Sequence, residues 1–77
     1  MSVDIREYTR LIVFKNRQYL MGRDMMSKKL KWTASPYDAW WTRNIDDARR
    51  VADKVGGVIV LFNPVVGVRK EYEHRPD

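Results

Sequence analysis

Residues 29–57, KLKWTASPYDAWWTRNIDDARRVADKVGG, hold two hydrophobic periodicities in one short run. In KLKWT, Leu30 and Trp32 alternate with Lys29, Lys31 and Thr33, the two-residue period of a half-buried strand. From Asn44 the period changes. Ile45, Ala48, Val51, Ala52 and Val55 repeat at i, i+3, i+4 and i+7, which puts them on one helical stripe that must face a sheet. Asn44 is a suitable N-cap, and Asp46 and Asp47 occupy the first turn, where carboxylates complement the helix dipole. Asp46 with Arg50, and Arg49 with Asp53, are expected to pair across one helical turn. Gly56-Gly57 supplies the left-handed stop.

The chain on either side completes a sheet. YTRLIVF (8–14) and QYLMGR (18–23), joined at Asn16, predict a β-hairpin that leads through the loop DMMSKK into KLKWT. ASPYDA turns the chain at Pro36, and WWTR is either a short strand or an extended lead into the helix. VIVLF (58–62) is apolar throughout and predicts the middle of the sheet. VVGV is a candidate for a short last strand. The order β-β-β-(β)-α-β describes a single α+β domain over 1–70: a small, mostly antiparallel sheet with one amphipathic helix on one face. Residues 71–77 are polar and predict a frayed tail.

Seventy-seven residues bury a thin core, and chains of this size gain stability from disulfides, a metal or oligomerisation. There is no cysteine, and the one histidine, His74, lies in the polar tail, so a homo-oligomer is the expectation. The first residues are charged throughout and the longest apolar run is five residues. Neither a secretion signal nor a membrane partner is expected, and the localisation expected is cytoplasmic.

The net charge is +5, and its excess is local. Between Arg10 and Lys31 seven cations face one acid, Asp24, so the first half of the chain attracts phosphates or an acidic protein face. Catalysis is not expected. The common nucleophile–base pairs are missing, Asp46 and Asp47 point about 100° apart on a helix, and Gly56-Gly57 precedes a strand instead of opening a phosphate loop. Neither a cofactor nor a metal site is expected.

The aromatic residues carry more information. Three Trp, four Tyr and two Phe are many rings for so small a core. Trp40 and Trp41 are neighbours, and in an extended segment their side chains take opposite faces. At most one can enter the same core. The other must lie at a surface, where an indole marks an interface or a stacking platform. Rings beside cations suit a base and its phosphate together.

The run YLMGRD…KLKWTASPYDAWWTR…DDARRVADKVGG…LFNPVVG resembles a group of very small phage and prophage proteins. These share a β-meander, a W-T or AW-T step into one helix rich in Ala and Arg, and a closing strand. The resemblance covers about two thirds of the chain. It implies a counter-defence role, either as a sponge that sequesters a nucleotide signal of bacterial immunity or as an anti-CRISPR-like inhibitor. The basic balance departs from the acidic DNA mimics among anti-CRISPRs and favours the sponge.

The expected partner is therefore a small anionic nucleotide, with a host defence protein as alternative and a nucleic acid as the third reading. The expected site comprises Tyr37, Trp40, Trp41 and Arg43, supported by Arg23, Lys29 and Lys31 from the neighbouring hairpin and strand. Free N–H groups at the helix start are expected to add to its pull on an anion.

Overall fold

The computed structural model describes residues 9–72. Tyr8, expected at the start of the first strand, and residues 73–77 of the expected tail, His74 among them, lie outside the described residues. The elements are β1 (Arg10–Lys15), β2 (Gln18–Arg23), β3 (Leu30–Thr33), a 3-10 turn (Pro36–Asp38), β4 (Trp41–Thr42), α1 (Ile45–Val55), β5 (Val58–Asn63) and β6 (Val68–Glu71). They form one antiparallel sheet of order β3-β2-β1-β5-β6, with β4 paired to β1. The fold is α+β, with one α-helix against a six-stranded sheet among the described residues.

The first hairpin is closed by Asn16 and Arg17, both at positive φ (52° and 66°), with Lys15 opposite Gln18. That is the two-residue turn whose twist matches the strands it joins. β1 is the strand on which the sheet is assembled. One edge pairs with β5 over Arg10–Phe14, and the other is shared. Its C-terminal end takes β2, while Leu11 and Ile12 face Thr42 and Trp41 of β4. β5 is interior but not central, as VIVLF alone suggested, because apolarity measures burial and not the number of neighbours.

Helix α1 forms as its caps direct. Asn44 Oδ1 accepts from the Asp46 and Asp47 N–H groups at 2.9 and 3.3 Å. Gly56 takes the left-handed conformation (φ 72°) at the other end. Lys15 Nζ donates to the Val55 carbonyl at 2.9 Å, a cation at the negative end of the helix. Among the described residues the ion pair on the wet side joins Arg50 to Asp47 at 3.8 Å, one residue closer in sequence than the expected Asp46 with Arg50, and Arg49 with Asp53 forms none. Both groups of the pair are open to water, so it contributes a few tenths of a kcal/mol at most.

The helix stripe packs on one face of the sheet. Ala48 and Ala52 meet Leu11, Val13, Leu20 and Ile59, with Trp32, Trp40, Val51 and Val55 around them. Gly57 is where helix and strand come closest. A Cβ there would stand 2.8 Å from Val13 Cγ1 and 3.0 Å from the Phe14 carbonyl oxygen. Backbone cannot yield as a side chain can, so Gly57→Ala is expected to destabilise the domain by about 1–3 kcal/mol, read by chemical denaturation.

The opposite face has a core of its own. Ile12, Tyr19, Val60 and Phe62 are buried there with Ala39, and Phe14 packs against them. The 34–40 segment crosses this face, and the Tyr37 ring stands edge-on to Phe62 at 4.9 Å. From the far edge, Arg69 Nη1 donates to the Tyr19 hydroxyl. β6 and β2 stand three places apart in the sheet, so this bond ties the two sides of the face together across β1 and β5.

The last strand corrects two expectations. VVGV is mostly a turn, held by Asn63, whose Oδ1 accepts from Val65 N–H at 2.9 Å and whose carbonyl accepts from Gly67 N–H at 2.8 Å. The strand is Val68–Glu71, with Glu71 opposite Val60, so the polar stretch read as tail is paired at its start. All four of its side chains are exposed, as suits a charged edge that discourages further pairing.

Candidate functional site

The two neighbouring indoles separate as their extended backbone requires. Trp40 is half-buried and packs on the helix-side core, and its main-chain N–H donates to the Leu20 carbonyl at 2.8 Å. Trp41 stands opposite Ile12, on the other face of the sheet, and is 41% exposed. Two guanidinium groups accompany it. The Arg10 Cζ lies over the ring at 4.6 Å from its centroid, and the Arg43 Cζ lies at 5.9 Å. Each such contact is worth about 0.5–1 kcal/mol at an exposed site, which biases a long side chain toward the ring. Among the described residues the one ion pair is Arg50 with Asp47, so the charges of Arg10 and Arg43 are not spent on a described carboxylate.

Each member is placed by a different element. Arg10 begins β1 opposite Phe62, Trp41 is in β4, and Arg43 follows β4 just before the helix cap. Tyr37 is 55% exposed and shares the sheet face of Trp41, but its ring is engaged edge-on by Phe62. It serves first as a cover over that buried ring. Arg23, Lys29 and Lys31 belong to a different part of the molecule, the outer half of the β2–β3 hairpin, where Arg23 faces Leu30 and Lys31 faces Gly22. Leu30, expected to be half-buried beside Trp32, is exposed there.

The helix start adds less than its sequence suggests. Two N–H groups expected to be open to an anion are taken by Asn44 Oδ1. Arg10 is the member that carries no local sign of its role. It is two residues from Ile12 on one strand, and only the pairing of Ile12 with Trp41 brings it over the indole. A separate groove of about 190 Å³, on the helix side, is lined by Thr9, Leu61, Asn63, Val66, Val68 and Lys70. Its wall is almost wholly apolar and suits packing better than capture of an anion.

Chemically, the Arg10–Trp41–Arg43 cluster offers an aromatic plane that is 41% exposed and two positive charges beside it. A flat ring and an anionic group can be held there together. Comparison with protein-family models, curated proteins and solved structures finds no match to the chain. Among the described residues no helix is long and apolar enough to cross a membrane.

Proposed function

We propose that this protein is a non-enzymatic binding module that captures a nucleotide unit, stacking its base at Trp41 and holding its phosphate with Arg10 and Arg43. The observation that carries the reading is the half-exposed indole with two guanidinium groups within 6 Å of its centroid. A base gains about 1–3 kcal/mol by stacking on such a ring, and planar guanidinium groups match phosphate oxygens in pairs. In the phage-type counter-defence setting that the resemblance implies, such capture removes a nucleotide by stoichiometry, as a sponge does. A sponge also needs enclosure. Trp41 is open on the single chain, so that form of the reading requires the homo-oligomer expected from the thin core.

Titration calorimetry with purified chain and nucleoside monophosphates tests the proposal. The expected result is saturable binding at one site per chain, with the nucleotide recovered unchanged. Absence of binding, or multiple turnover of the nucleotide, contradicts it.

A further inference from the structure

Beyond Leu20 the second hairpin leaves the sheet. β2 pairs with β1 only at Tyr19 and Gln18. The register then shifts between Leu20 and Gly22, with Gly22 at φ 141°, and the remaining strand pairs with β3 alone. Met25 through Lys31 are all exposed. The result is a projecting two-stranded arm, six residues from Leu20 to its tip and up to about 20 Å long.

Its chemistry is uneven. Arg23, Lys28, Lys29 and Lys31 supply four cations against Asp24. The Asp24 carboxylate is turned inward, accepting from Met26 N–H at 2.8 Å and Ser27 N–H at 3.3 Å. Its main chain bonds Lys28 and Lys29 across the turn at 2.8 Å each, so the tip is a built turn. At that tip Met25 and Met26 are 88% and 95% exposed. Thioether side chains of this kind pack on irregular apolar surfaces without demanding one shape.

The arm and the Trp41 cluster are neighbours by topology. β2 and β4 are both antiparallel to β1 and so run in the same direction. They are tied at their bases by the Trp40 N–H to Leu20 carbonyl bond. Arg23 at the end of β2 and Arg43 at the end of β4 therefore lie toward the same end of the sheet, as does Arg10 at the start of β1. One nucleotide cannot reach along such an arm. A polyanion with a phosphate at every step can.

We propose that the β2–β3 arm extends the Trp41 site along a single-stranded nucleic acid, its lysines following the phosphates while Trp41 stacks one unpaired base. This rests on the reading of Trp41 given above and names the ligand as a strand. A single strand offers unstacked bases without the cost of opening a duplex. The exposed ring and the open arm suit a track better than a closed pocket.

The test compares thymidine monophosphate with oligothymidylate of roughly ten nucleotides, a length within the range of one small-domain site. Both are titrated against the parent chain and a variant carrying Lys28→Gln, Lys29→Gln and Lys31→Gln. These three side chains are exposed, and circular dichroism checks that the variant stays folded. The oligonucleotide is expected to bind at least tenfold more tightly than the monophosphate. Its slope of log affinity against log salt should fall by about 2 in the variant, near 0.7 for each cation removed. Monophosphate affinity should not change. Equal affinity for both probes, or a variant with unchanged oligonucleotide affinity and slope, overturns the arm's role and leaves the Trp41 reading standing. Failure of both probes to bind overturns the two together. Arm-dependent binding to a DNA duplex or to phosphatidylserine vesicles, with none to the oligonucleotide, overturns the strand assignment.

Discussion

Trp41→Ala is expected to lower affinity for a nucleotide or a single strand by roughly 5- to 150-fold while the domain stays folded. The range is the 1–3 kcal/mol that a stacked base gains on an aromatic platform, at 1.4 kcal/mol for each factor of ten. Folding is expected to survive because Trp41 is 41% exposed and belongs to neither buried cluster. What the fold loses is the pair of cation–π contacts with Arg10 and Arg43, so the stability change should stay near 1 kcal/mol. Part of the loss in affinity is indirect, since without the ring both guanidinium groups regain their freedom and must be ordered again on binding. Trp41→Phe should restore a share of the affinity, because it keeps a plane of smaller area. Fluorescence anisotropy with a labelled oligonucleotide reads the affinities and circular dichroism reads the fold. Parent-like binding by a folded Trp41→Ala chain contradicts the assignment.

Phe62→Ala is expected to have the largest effect on stability. Phe62 is fully buried in the face opposite the helix, beside Ile12, Tyr19 and Val60, and Tyr37 closes over it. Truncating a buried Phe costs about 3–5 kcal/mol through lost transfer energy and the cavity left behind. A domain of this size holds only about 4–12 kcal/mol in total. The variant should melt at least about 12 °C below the parent, at 4 °C or more per kcal/mol, or fail to fold. Because Arg10 is paired opposite Phe62 and Tyr37 rests on it, binding should fall with the fold. Thermal melting followed by circular dichroism is the measurement. A drop of under about 1 kcal/mol would mean that this second core contributes little.

What is readable in the chain is what is local. The Asn44 cap, the Ile45–Val55 stripe and the Gly56 stop each depend on residues within a few positions, and the structure has all three. The turn at Asn16 and the opposed faces of Trp40 and Trp41 follow from backbone geometry over two or three residues. The strand register does not. Arg10 meets Trp41 through a pairing 29 residues apart in sequence, Ile12 with Trp41, and no local pattern encodes that distance. The last strand is misplaced in the sequence, with Glu71 read as tail, because an exposed charged edge has no apolar alternation to announce it. The second core is hidden for a related reason. It is covered by a 3-10 turn instead of a second amphipathic helix, and Pro36–Asp38 carries no hydrophobic period. The basic residues of the arm are plain in the sequence, but their projection from the sheet depends on the shift between Leu20 and Gly22.

The central claim is that Trp41 is the surface on which a base stacks, and indole N–H resonances test it most directly. The chain has three tryptophans, hence three indole N–H signals, and Trp41→Phe identifies one of them by its loss. Titration with oligothymidylate is expected to shift the Trp41 signal progressively and to saturation. Trp32 and Trp40, packed against the helix-side core, should hold their positions. An unmoved Trp41 signal at saturating oligonucleotide would contradict the account.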